Sequence, residues 1–319
     1  MSFQEFYFNT KSQIIEIADA SIALRTFGKG APLLFIHGFF VDGYTWRKVL
    51  PKLSEKYTCY VIDLPGFGDS IYSQNTKFTF TAQAKRLNQL IQILGINNQL
   101  NIVSHDTGAT IARLVALEKS NNIENLVLIN TEIPNHRPPY IPMYQVLAKL
   151  PLANWIFRNL LKVDFIVTSP MMINQFYYDK SKLKNRNNYS HYVDPLFDKN
   201  KMFGMLEYLK GIEWKVVDDF LHNHKKITAD TLLLWGEEDK TFPVNLAKKM
   251  VEQFNGNCTF ETIARTCIMP HEEKPNQVLD VVLKFFKNEK NPDSSNKCCL
   301  LYTSPSPRDA TLSRMPSSA

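Results

Sequence analysis

Cysteine is scarce, with five in 319 residues, and their spacings fit no metal-ligand motif. An odd number of thiols suits a reducing compartment and argues against a disulfide-framed secreted domain. No stretch approaches the roughly 20 apolar residues that a membrane-spanning helix needs. The opening residues Met1-Ser2-Phe3-Gln4-Glu5 lack the basic and apolar regions of a secretory signal. Basic side chains form no run. The net charge of +6 is spread among acids, which describes a solvated surface and not a nucleic-acid interface. The glycines of Pro65-Gly66-Phe67-Gly68-Asp69-Ser70 match neither nucleotide fingerprint. The expectation is a soluble, cytoplasmic protein that acts on a small molecule, without nucleic-acid partner or membrane span; its oligomeric state stays open.

What is present is apolar and periodic. At 44% hydrophobic, the chain can bury one large core and carry an insertion. Segments 14–17 and 21–25 read as two opening strands. Continuous apolar runs at 32–36, 59–64, 126–130 and 231–235, and a shorter one at 102–103, read as buried strands, and 258–263 as the last strand. Helical patterns at 46–53, 78–94 and 278–286 alternate with them. This predicts an α/β fold with a mainly parallel sheet and helices on both faces. The alternation stops after Ile133-Pro134. From 135 to 226 the chain is aromatic-rich and helix-prone, so the core is expected at 1–134 and 227–290.

One stretch carries the chemistry. In Ser104-His105-Asp106-Thr107-Gly108, a buried strand breaks and a helix pattern begins. Small residues two before and two after Asp106 permit a sharp strand-to-helix turn that holds the central side chain at the sheet's carboxyl edge. A carboxylate is ionised at neutral pH without help from a base. It therefore suits displacement at a saturated carbon, leaving an ester on the protein. The alternative is that Asp106 only caps the helix.

Asp106 at such a turn resembles the nucleophile elbow of an α/β-hydrolase, in the aspartate branch that includes epoxide hydrolases and haloalkane dehalogenases. His37-Gly38-Phe39-Phe40 resembles the oxyanion-hole loop, with Phe40 where proline is usual. Gly236-Glu237-Glu238-Asp239 resembles the acid loop, and 135–226 is similar to the helical cap. The resemblance implies Asp239 as acid, His271 as base, and the N–H groups of Phe39 and Thr107 as oxyanion donors. Glu132 is the alternative acid. It further implies that Asp106 forms an alkyl ester and that His271, oriented by Asp239, activates the hydrolysing water. No metal or organic cofactor is called for. One departure stands in the final loop, where Cys267-Ile268 occupies the place of the usual Gly-His, three residues before His271.

The substrate class depends on what holds the leaving group. Thr107 replaces the tryptophan usual in both dehalogenases and epoxide hydrolases, and the arginine of fluoroacetate dehalogenases is absent as well. Tyr208 resembles the second cap tyrosine that binds an epoxide oxygen, with Tyr177 or Tyr178 for the first and His37 a further candidate contact; packing is the alternative for the tyrosines. The sequence thus predicts an epoxide hydrolase-like enzyme, with a dehalogenase or a non-catalytic scaffold as alternatives. The segment 291–319 is expected to be disordered. Within it, 299–319 resembles a translated sequencing adapter and is excluded from fold reasoning.

Overall fold

The computed structural model describes residues 1–118 and 122–287; the expected tail, 291–319, lies outside them. Among the described residues nine strands form one sheet: β1 (Gln13–Ile17), β2 (Ala20–Phe27), β3 (Ala31–Ile36), β4 (Tyr57–Asp63), β5 (Ile71–Tyr72), β6 (Leu100–His105), β7 (Ile123–Ile129), β8 (Asp230–Gly236) and β9 (Cys258–Ile263). Their order is β1-β2-β4-β3-β6-β7-β8-β9, with β5 attached to β2. The pairings β1–β2, β2–β4 and β2–β5 are antiparallel. From β4 to β9 every pairing is parallel. The apolar runs are continuous because helices cover both faces: Leu33 to Ile36, Leu126 to Ile129 and Leu232 to Trp235 are all buried.

The chain runs from β3 outward to β4, then returns to place β6 on the other side of β3. Such a reversal opens a crevice at the carboxyl ends of the two strands. Phe39 follows β3 and Asp106 follows β6, so topology alone brings them together. Glu132 follows β7 and Asp239 follows β8, at the same edge.

The helix expected at 46–53 is broken in two. A 3-10 segment, Gly43–Lys48, starts where the Asp42 side chain accepts from the Tyr44 N–H. An α turn, Leu50–Leu53, follows with Pro51 at its start. Proline lacks the N–H that would continue the earlier ladder.

Between β7 and β8 the described residues hold helices and 3-10 turns and no strand; the longer helices are Ile141–Leu147, Ala153–Leu160, Lys199–Lys210 and Trp214–Asn223. The third of these sits tightly on the turn after β4. A Cβ on Gly204 would lie 2.8 Å from Gly66 Cα, and Gly66 itself has a φ of +96°. Glycine at both positions lets the backbones touch.

Candidate active site

Asp106 occupies a strained position, with φ 51° and ψ −130°, outside the regions most side chains adopt. Its surroundings hold it there. The Asp106 N–H donates to the carbonyls of Ile129 and Asn130, and the Thr131 hydroxyl donates to the Asp106 carbonyl at 3.0 Å. Gly108 must be glycine, since a Cβ there would fall 2.1 Å from the His37 carbonyl oxygen. The carboxylate makes no capping bond to the helix it precedes. Instead Oδ2 accepts from the Phe39 N–H at 2.8 Å, and the nearby N–H of Thr107, the first residue of the helix, pulls the same way on its pKa. The helix-cap alternative is thereby removed. Burial first, and then the charge of Glu132, push the Asp106 carboxyl well above the ordinary carboxylate range, against the pull of those two N–H groups.

Phe40, where the family usually has proline, sits at φ +69°, a value the proline ring excludes. The loop keeps the Phe39 donor in place by a different backbone route.

Asp106 opens into a cavity of about 90 Å³, room for about half a dozen waters and so for a small ligand. Its wall is almost wholly apolar. From the core come Phe39, Ile268 and Met269; Tyr144, Phe157 and Met205 come from the helical insertion. Glu132 is the other carboxylate in the wall. Its Oε2 accepts from the Thr110 hydroxyl at 2.6 Å and lies 3.0 Å from the Thr131 hydroxyl, whose one proton it shares with the Asp106 carbonyl. Burial raises its pKa, against the pull of the Thr110 bond and of Arg113. Arg113, also buried, donates to Thr110, Thr131 and the Glu132 carbonyl. These bonds fix the carboxylate without pairing it directly.

The final loop departs from expectation. Ile268 lines the cavity and His271 does not. His271 is fully buried on the turn Pro270–Glu273, packed at a tilt against Trp46 with ring centroids 4.6 Å apart, and with Nε2 2.8 Å from the Thr45 hydroxyl. Thr45 has one proton and gives it to Glu272 Oε1 at 2.9 Å. His271 Nε2 must therefore donate to Thr45, and Nδ1 is left buried without a partner. Burial first, then the neighbouring His105, hold His271 well below the ordinary imidazole range. The register is locked by Glu272, which accepts from Arg47 at 3.0 and 3.2 Å and from the Tyr192 hydroxyl. With Glu272 clamped to the 3-10 segment, the adjacent imidazole faces Thr45 and Trp46.

Asp239 does not orient His271 either. Its Oδ1 accepts from the N–H groups of Thr241 (2.7 Å) and Phe242 (3.2 Å). Its Oδ2 accepts from the Asn130 amide at 2.7 Å. Burial pushes it up to about 6, against the Asn130 bond. Asn130, which sequence reasoning passed over, also accepts from Gly236 N and so ties the ends of β7 and β8 together. Glu132, the alternative acid, faces Thr110 and Thr131 and likewise makes no bond to His271.

The proposed substrate contacts are corrected too. His37 is fully buried and structural: Nε2 accepts from the Leu64 N–H, so Nδ1 carries the proton and donates to the Gly38 carbonyl. The Tyr177 hydroxyl lies against Glu272 at 3.4 Å. Tyr178 is exposed, and its backbone N–H bonds Glu273. The charged loop captures both segments, so neither reaches the cavity. Tyr208 does reach the elbow: its hydroxyl donates to Thr107 Oγ1 at 3.1 Å, and its ring stacks on Phe39 at 6.0 Å. Buried completely, it braces Thr107 outside the cavity lining. Among the described residues no cluster of three His, Cys, Asp or Glu side chains is arranged to hold a metal ion.

A family model described as the alpha/beta hydrolase fold matches residues 31–275. The chain belongs to the α/β-hydrolase family and is, at that level, a hydrolase. An uncharacterised hydrolase of Bacillus subtilis is 26% identical over 263 residues, covering 80% of this chain and 89% of that protein. Epoxide hydrolase 3 of Xenopus tropicalis is 23% identical over 81% of this chain and 71% of its own length. Among solved structures, the epoxide hydrolase CorEH superposes with a TM-score of 0.73 at 20% identity, over 87% of this chain and 99% of that one. A serine hydrolase from Cycloclasticus zankles also gives 0.73, at 18% identity over 88% and 99%. At such identities the structural likeness speaks for the fold alone.

Proposed function

We propose that the protein hydrolyses a small apolar epoxide through an alkyl ester on Asp106, with Glu132 as the proton carrier. The observation that carries the reading is the Asp106 carboxylate itself, held by the Phe39 N–H and open to an apolar cavity. It is placed to attack carbon and is not engaged as a helix cap. The epoxide hydrolases among its relatives add support.

Two buried like charges do not both ionise readily, so Asp106 and Glu132 share one proton in the resting site. The surroundings favour the proton on Asp106, since Thr110 and Arg113 pull Glu132 toward its carboxylate; the working form is the other tautomer, with Asp106 the carboxylate and Glu132 the acid. Asp106 attacks an epoxide carbon, the C–O bond opens, and Glu132 gives its proton to the alkoxide. Glu132, now a carboxylate, takes a proton from the water that attacks the ester carbonyl. The resulting oxyanion meets the N–H groups of Phe39 and Thr107. Collapse breaks the bond between the Asp106 carbonyl carbon and the alkyl oxygen, Glu132 gives the leaving alkoxide the proton it took from water, and the hydroxyl proton of the regenerated Asp106 carboxyl is the one the Asp106–Glu132 pair keeps. Net, one epoxide and one water give one diol. Tyr208 holds Thr107, and therefore its N–H, in position.

A panel of small epoxides and alkyl halides tests this. The parent should turn over epoxides, and Asp106→Ala should lose both turnover and any mass increase on the peptide carrying residue 106. Retained turnover in Asp106→Ala would remove the basis of the reading. A binding scaffold is the second reading, favoured by the absence of His271 from the cavity wall; a parent that binds apolar ligands but turns over none of the panel would support it.

A further inference from the structure

Large apolar side chains are exposed along one face of the helical insertion. On helix Ala153–Leu160 and its preceding residue, the exposed apolar residues are Leu152 (73%), Trp155 (62%), Ile156 and Leu160. Spacings of three, four and eight from Leu152 put them on a single face. On helix Ile141–Leu147 the exposed ones are Met143, Val146 (62%) and Leu147, again three and four apart. Phe165, 84% exposed, extends the surface onto the next turn. Isolated exposed apolar residues need no explanation, but a contiguous face of them marks an interaction site.

A second cavity of about 320 Å³ opens between these helices, with Met143, Leu147, Ile156 and Leu160 among its lining. It shares Tyr144, Phe157, Leu161, Met171 and Met172 with the cavity over Asp106. The two cavities are therefore neighbours, parted by those shared apolar side chains.

We propose that this face docks onto an anionic lipid surface, and that apolar substrate passes from the lipid through the second cavity to Asp106. Two features favour a bilayer over a protein partner. The face combines a tryptophan and a phenylalanine with lysines at its border, the pattern of an element lying in a membrane interface. Its charge fits as well: Lys149 and Lys162 are exposed, and the one acid between 141 and 172, Asp164, pairs with Arg186. No helix among the described residues is long and apolar enough to cross a membrane, so the attachment is peripheral. The docking stands apart from the Asp106 chemistry; only the route of delivery rests on that reading.

Sedimentation with phosphatidylcholine vesicles, with and without phosphatidylserine, tests the docking. The parent should sediment with the vesicles, more strongly with phosphatidylserine. Trp155→Ser combined with Phe165→Ser should weaken binding about a hundredfold, roughly tenfold for each ring withdrawn from lipid. Lys149→Gln and Lys162→Gln should each cost about fivefold, and only on vesicles containing phosphatidylserine. All four side chains lie outside the site, so turnover of a water-soluble epoxide should not change; its loss in the parent would count against the Asp106 reading and leave the docking intact. A parent that stays in the supernatant with both vesicle types overturns the proposal. So does a parent that light scattering shows to be a dimer which Trp155→Ser with Phe165→Ser splits, since a second copy would then cover the face.

Discussion

Replacing Glu132 with glutamine separates the two halves of the proposed reaction. The substitution keeps the shape of the side chain and leaves an amide oxygen to accept from Thr110 or Thr131, now 2.6 and 3.0 Å from Oε2. It removes one negative charge from beside Asp106. Burial still raises the Asp106 pKa, but the contribution of the Glu132 charge is gone, so the pKa falls. At any pH near or below the parent's Asp106 pKa a larger fraction of Asp106 is then ionised. An alkyl halide needs no proton on its leaving group, so its attack by Asp106 should be at least as fast as in the parent. Release needs a base, and after halide displacement Glu132 becomes one by losing its proton to solvent, the proton that leaves with the halide ion. Losing that base should slow ester hydrolysis by about 10²–10⁴-fold, the usual contribution of general acid–base catalysis. An epoxide needs the acid as well, so Glu132→Gln should slow both halves with that substrate. Intact-mass spectrometry after rapid quenching reads both: with an alkyl halide, the Asp106 alkyl ester should accumulate in Glu132→Gln and turn over in the parent. If Glu132→Gln releases product from either substrate at the parent's rate, the assignment of Glu132 fails.

Other outcomes follow from the same geometry. Gly38→Ala would place a Cβ 2.5 Å from Asp106 Cβ and 2.7 Å from Oδ2; circular dichroism should show a folded protein, and mass spectrometry no adduct. His271→Gln should lower the melting temperature, by the equivalent of about 1–3 kcal/mol for a disturbed buried hydrogen bond, while turnover escapes the roughly 10²–10⁴-fold loss that removing a base causes. Glu272→Gln should destabilise the fold by about 3–5 kcal/mol at neutral pH, because it leaves Arg47 buried without its partner. Burial alone would raise Glu272, but Arg47 pulls it well below the ordinary carboxylate range. Its contribution is thus full above the unfolded carboxyl pKa and lost as pH falls through the folded one. Urea titrations of parent and variant should converge in acid.

The strands were legible because a parallel sheet covered on both faces leaves continuous apolar runs, and 258–263 coincides with the strand Cys258–Ile263. The elbow was legible because it needs small residues at fixed offsets, and the Phe39 donor because His37-Gly38 resembles the family's oxyanion-hole loop. The final loop was not. Ile268 and His271 are three residues apart, and which one faces the cavity is decided by partners far away in sequence: Thr45 and Arg47, which hold His271 and Glu272. The charged loop likewise redirects Tyr177 and Tyr178. Glu132 entered only as an alternative partner for a histidine, since nothing in its own segment reports that Arg113, Thr110 and Thr131 converge on it.

The central claim is that Asp106 carries the covalent step, and a single turnover in ¹⁸O-water tests it most directly. With enzyme in excess over epoxide, the oxygen added to the first diol should come from the Asp106 carboxylate. The diol should then be unlabelled and the label found on the peptide carrying Asp106. A diol labelled in the first turnover, with that peptide unlabelled, would mean that water attacks the epoxide itself and would contradict the account.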